Sequence, residues 1–171
     1  EQILDREEGA LYKLIEIKEK DYSGFMVAIY DASRVELVTS TKINSGGQQM
    51  TAFSKEQNAI VAINASGFSR RYGGLLPTGT VIQDGKVKSI GLPNKHGGGL
   101  IGFNKDNVLV LSTDSAEKAI KKGMRDAVTF GPFLIVNGKS AQVSGNGGWG
   151  YANRTAIAQR KDGIVLFLVI D

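Results

Sequence analysis

Short apolar runs separated by compact turn signals dominate the chain and confine it to folds built from brief, hairpin-linked strands. Asp84-Gly85 stands between residues 80–83 and 86–89, and Asn137-Gly138 follows residues 133–136. A two-residue hairpin turn needs positive φ at both positions, and Asp-Gly or Asn-Gly supplies it at little cost. A longer polar connection, 104–107, separates the apolar runs 100–103 and 108–111. The 22 glycines against 3 prolines, with no collagen period, fit a chain of many tight turns and close backbone approaches.

Alternation places the remaining elements. Residues 11–17 read as a strand with Leu11, Lys13, Ile15 and Ile17 on one side. Residues 25–30 and 35–40 read as the next two strands, joined by an Asx-type turn at Asp31-Ala32-Ser33-Arg34. Residues 51–58 predict a short helix with Thr51 or Ser54 as its N-cap. The nearly unbroken apolar run 59–65 then predicts a buried strand. A second helix is expected over 115–122, with Asp114 as N-cap, Glu117 as its third helical residue and Gly123 as C-terminal stop. Residues 164–170 are the most apolar stretch, which predicts a central strand buried on both faces. The sum is a β-rich α+β fold: about ten strands in a mixed sheet, hairpin-rich, with two short helices. No linker or repeat interrupts it, so residues 1–171 read as one domain.

Composition removes several functions. The net charge of +4 is spread out, and its only adjacent Lys/Arg pairs are Arg70-Arg71, Lys121-Lys122 and Arg160-Lys161, which argues against nucleic-acid binding. A mild positive field still favours an anionic substrate. The absence of cysteine removes disulfides and thiolate chemistry. The sole histidine, His96, lies in a glycine-rich polar loop and no G-x-S-x-G accompanies it, so a serine triad has little support. Gly145, Gly147 and Gly150 match G-x-G-x-x-G, but a β-like run follows them where a dinucleotide site needs a helix. No cofactor is expected, and an all-oxygen calcium or magnesium site stays open. The longest apolar run is too short to span a bilayer. The chain begins with Glu1 rather than Met, so a removed upstream segment, a signal or an anchor, is expected, and the location expected for the protein is extracellular or cell-surface.

Four polar, glycine-flanked segments carry the candidate chemistry. In Ala62-Ile63-Asn64-Ala65-Ser66-Gly67-Phe68, Asn64 can donate to and accept from sugar hydroxyls or an anionic oxygen, or it can merely close a turn. Gly73-Gly74-Leu75-Leu76-Pro77-Thr78-Gly79 and Phe130-Gly131-Pro132-Phe133 read as ligand-approach loops or as plain turns. In Gly147-Gly148-Trp149-Gly150-Tyr151-Ala152-Asn153-Arg154-Thr155, the glycines admit a ligand to the backbone. Trp149 and Tyr151 offer faces for a sugar ring, and the Arg154 guanidinium matches two phosphodiester oxygens. Arg154 reads equally as a surface residue at a strand start.

Taken together these blocks resemble the phosphodiester glycosidase family. The segment 62–68 is similar to its A-I-N-[AG]-G-[FY]-F signature. Pro77-Thr78-Gly79 with Asp84-Gly85-Lys86, then residues 130–138, then Asn153-Arg154-Thr155 with residues 162–171, follow its later blocks in order. Ser66 and Ala158 stand where glycine is usual in the family. Family members, one of which removes N-acetylglucosamine from a phosphodiester, continue past the position of Asp171 with Gly-Arg, a helix and a strand ending in Asp-Gly-Gly.

The resemblance implies hydrolysis of a glycosyl phosphodiester with release of the sugar. The residues it singles out are Arg154, Asp171 and Asn64 for catalysis. Gly131, Gly79, Gly147, Trp149, Tyr151 and Thr155 are singled out for substrate contact, and Asn64, Gly131 and Arg154 are expected to converge on one cleft. It further implies that the second carboxylate lies beyond Asp171, and that a C-terminal fragment or another copy of the chain completes the fold. The alternative is a non-catalytic module for carbohydrate or cell-wall polymer, in which Trp149, Tyr151 and Arg154 act without acid or base.

Overall fold

A computed structural model describes residues 2–42, 46–71, 74–90, 98–145 and 150–171. Strands β1 (Tyr12–Lys18) and β2 (Ser23–Ile29) come first, followed by a single 3-10 turn at Ala32–Arg34 and helix α1 (Met50–Glu56). Then come β3 (Gly67–Arg71), β4 (Gly74–Thr78), β5 (Val81–Gln83), β6 (Lys86–Ser89), β7 (Gly99–Asn104) and β8 (Leu109–Ser112). Helix α2 (Ala116–Lys121) precedes β9 (Met124–Phe130), β10 (Ile135–Val136), β11 (Lys139–Ser140), β12 (Arg154–Gln159) and β13 (Val165–Ile170). The fold is β-rich α+β, and every described strand pairing is antiparallel where a mixed sheet is expected from sequence.

The chain forms two compact units, Glu1–Glu36 with Tyr151–Asp171, and Leu37–Gly150. The first holds a four-stranded sheet in the order β1-β2-β13-β12. Strand β1 forms as its alternation predicts, with Ile15 buried and Lys13 and Ile17 half-buried between exposed neighbours. Strand β13 is internal, and both of its edges are taken by β2 and β12 from this same chain. It therefore offers no open edge. Burial on both faces is incomplete: Val165 is fully enclosed, but Val169 is exposed on the same face as Phe25 and Leu14.

The second unit is built on a five-stranded sheet, β6-β5-β9-β7-β8. Ile82, Leu100, Ala119, Met124 and Ala127 form its core, with Val110, Ala116 and Ile120 packed against them. Helix α2 thus lays its apolar residues on the sheet. At the β7–β9 pairing, a side chain on Gly102 would collide with the Asp126 carbonyl oxygen, so only glycine permits so close an approach of the backbones. The Asp126 carboxylate, 3% exposed, accepts from the Asp84 N–H at 2.9 Å and from Arg125 Nε at 2.7 Å. Arg125 also donates to Asn107 Oδ1 at 2.5 Å. One Arg–Asp step on β9 thereby ties two hairpin turns to the sheet, and its charge is paired as a buried carboxylate requires.

The turns follow their residues. Asp84 and Gly85 have φ of 52° and 66°, and Asn137 and Gly138 have 51° and 75°, as the two-residue hairpin demands. Asn104 Oδ1 accepts from the N–H groups of Asp106 and Val108, both at 2.9 Å, and closes the longer connection. Asp31 Oδ1 accepts from the Ser33 N–H at 2.9 Å, the expected Asx geometry.

Four expectations are corrected. Residues 35–40 form no strand. Residues 59–65 form neither a strand nor a buried segment, and Ile60 is 61% exposed. Helix α1 starts one residue earlier, after Gln49, which makes no side-chain cap; Ser54 instead donates to the Thr51 carbonyl. Helix α2 is capped by Ser115, whose side chain accepts from the Lys118 N–H, whereas Asp114 pairs with Lys118 and Lys122 at 2.8 and 2.6 Å. Two nearby ammonium groups outcompete a cap for that carboxylate.

Replacing the fully enclosed Ile82 by Ala leaves a cavity in the second unit's core, and chemical denaturation should show a loss of about 2–5 kcal/mol. Hydrogen bonds from Lys118 and then Lys122 hold the Asp114 carboxyl down, from 3.8 to about 2. Its folded-state value lies below its unfolded one, so its contribution is present above about 3.8 and lost as pH falls through about 2. The gap in denaturation midpoint between wild type and Asp114→Asn should therefore shrink over that window, and a gap that does not change with pH contradicts the assignment.

Candidate active site

In the second unit, separate motif segments are stitched together by short polar contacts. Ser66, at φ 61°, turns the chain into β3, and its hydroxyl donates to the Thr78 carbonyl at 2.9 Å. A side chain at Gly67 would stand 2.6 Å from Thr78 Oγ1, so glycine gives the threonine its place. Two residues on, the Thr80 N–H donates to Thr129 Oγ1 and the Thr129 N–H donates to the Thr80 carbonyl, both at 2.8 Å. Gly79, at φ 95°, leaves room for Thr129, whose Cβ would lie 2.5 Å from an added Cβ. Gly98 likewise admits the Phe130 carbonyl and Gly131, which is followed by a cis bond to Pro132.

The segments bearing Ser66, Gly79, Gly98 and Gly131 thus form one chain of contacts. Asn64 lies exposed in the irregular stretch that leads into it. No sequence motif singles out Thr80 or Thr129; the one signal is their position beside Gly79 and Phe130-Gly131. The glycine at 79 is explained by Thr129 packing and positive φ without a ligand.

The other candidates belong to the first unit. Arg154 opens β12 opposite Ile170, and Thr155 pairs with Val169. Asp171 continues the ladder beyond β13, donating its N–H to the Ser23 carbonyl at 2.9 Å. Its carboxylate Oδ1 accepts from Asn153 Nδ2 at 2.6 Å. Arg154 is exposed, and its Nη1 donates to the Asn153 carbonyl at 3.0 Å. Strand alternation starts Arg154 on the face of Ile170 and Gly24, and Thr155 and Asp171 on the face of Val169 and Phe25. Tyr151 is 100% exposed just before this group. Gly147 and Trp149, with His96, lie outside the described residues. Among the described residues no three His, Asp or Glu side chains gather as a metal-binding group, and no helix is long and apolar enough to cross a membrane.

The family model for phosphodiester glycosidases matches residues 57–171. The chain belongs to the phosphodiester glycosidase family. No curated protein matches it. The family match takes in all four motif segments, and it begins in the turn that follows α1. In the first unit, the Arg154 guanidinium and the hydrogen-bonded Asp171 carboxylate stand at adjacent strand ends.

The Thr80–Thr129 exchange predicts an asymmetry. Thr129→Val leaves the part-buried Thr80 N–H without its acceptor and should cost about 1–3 kcal/mol in chemical denaturation, while Thr129→Ser keeps the oxygen and costs less. Equal effects of the two changes would contradict a hydrogen-bond role.

Proposed function

We propose that the protein hydrolyses a glycosyl phosphodiester, a sugar-1-phosphate joined to a second group, and releases the free sugar. The observation that carries this reading is the family match across all four motif segments. Water adds its oxygen to the anomeric carbon, the bond from that carbon to the phosphate oxygen breaks, and the phosphomonoester leaves with the electron pair. The leaving phosphate is already a weak base, so stabilising its charge matters more than protonating it. Arg154 takes that part, because a planar fork of donors fits two phosphate oxygens. Asp171 supplies a carboxylate at the anomeric centre, where an oxocarbenium-like charge develops. N-acetylglucosamine is the sugar we would try first, and an extracellular or cell-surface setting suits such a substrate.

The test is steady-state kinetics of the full-length protein on N-acetylglucosaminyl 1-phosphodiesters, with the simple O-glycoside as control. Hydrolysis of the diester and not the control is expected. Arg154→Ala should lower turnover about a hundredfold, the scale for losing a donor aimed at developing charge, while leaving the melting temperature unchanged. No hydrolysis of any 1-phosphodiester overturns the reading, and unchanged turnover in Arg154→Ala removes the phosphate-clamp role.

A further inference from the structure

Asn153 stands directly before Arg154, yet its side chain serves Asp171. Its Nδ2 donates to Asp171 Oδ1 at 2.6 Å. The Asp171 backbone is fixed independently, by the two-way exchange with Ser23 that extends the β2–β13 ladder. With its main chain held, the carboxylate has its side-chain torsions left to settle, and the Asn153 amide settles them. One carboxylate oxygen is thus anchored.

The same asparagine binds the second candidate. Its carbonyl accepts from Arg154 Nη1 at 3.0 Å. A single residue therefore touches the guanidinium through its main chain and the carboxylate through its side chain. Asn is suited to this, since its amide donates to a carboxylate without adding charge. Asp in the same place would set two carboxylates against each other, and Ala would leave Asp171 without that restraint.

We infer that Asn153 is the positioning residue for Asp171 in the proposed hydrolysis, holding one carboxylate oxygen so that the other faces the reacting centre. The inference rests on the hydrolytic reading of the site. Orientation of a reacting group acts on the chemical step rather than on substrate affinity. The consequence is a change in kcat with KM preserved.

The experiment compares wild type with Asn153→Ala, Asn153→Asp and Asn153→Gln in the full-length protein, reading kcat, KM and melting temperature on a glycosyl 1-phosphodiester. Losing a charge-assisted bond to a reacting carboxylate should lower kcat about tenfold or more in Asn153→Ala, with KM within about twofold. Asn153→Asp keeps the shape, so it reports even where Ala disturbs folding, and it should fall at least as far. Asn153→Gln keeps an amide donor and should recover part of the loss. Wild-type kcat in both Asn153→Ala and Asn153→Asp overturns the inference, as does a loss confined to KM. Wild-type protein that hydrolyses no diester overturns the hydrolytic reading itself, and the inference with it.

Discussion

The reciprocal hydrogen bonds between Thr80 and Thr129 hold the second unit's motif segments in register. They extend the β5–β9 pairing one step beyond Val81 and Val128, where the chain has yet to enter β5 while β9 continues to pair with β7. The Thr129 hydroxyl gives the Thr80 N–H the acceptor it would otherwise lack, and the Thr129 side chain fills the space that Gly79 leaves open. From that junction the chain reaches Thr78 and Ser66 in one direction and Phe130-Gly131 in the other. The core beneath is anchored by β9, with Met124, Ala127 and Val128 buried and Gly102 allowing β7 to approach it. The irregular segments are therefore positioned by the sheet together with their own short polar contacts.

The first unit uses a different device. Its candidate groups sit where β12 begins and β13 ends, adjacent through antiparallel pairing although a whole hairpin separates them along the chain. Pairing brings the strand ends together, and alternation sends Arg154 and Asp171 from opposite faces. Asn153 bridges that divergence with one atom of its main chain and one of its side chain.

Sequence patterns revealed the features that depend on neighbours along the chain. Asp84-Gly85 and Asn137-Gly138 adopt positive φ because their own backbones tolerate it, whatever lies around them. Strand β1 was equally legible, since a two-residue period needs only one buried face. Residues 35–40 and 59–65 misled because apolar composition does not provide a partner strand, and a strand exists only as one side of a ladder. The helix caps failed for a related reason: Asp114 had a choice between the helix N–H groups and two lysines, and charge decided it. Arg154, Asp171 and Asn64 stand out in the sequence by residue type alone. Asn153's link to Asp171 does not, because the register of β12 on β13 is a tertiary fact.

Membership of the phosphodiester glycosidase family raises one chemical question above the rest, namely which bond is broken. Attack at the anomeric carbon and attack at phosphorus with the sugar as leaving group give the same two products, so release of the sugar alone does not separate them. Hydrolysis in 18O-labelled water does, read by mass spectrometry of the phosphomonoester. Attack at the anomeric carbon predicts a phosphomonoester with no oxygen from solvent, because the carbon–oxygen bond breaks. Label in the phosphate would mean that phosphorus is attacked, and would contradict a glycosidase mechanism.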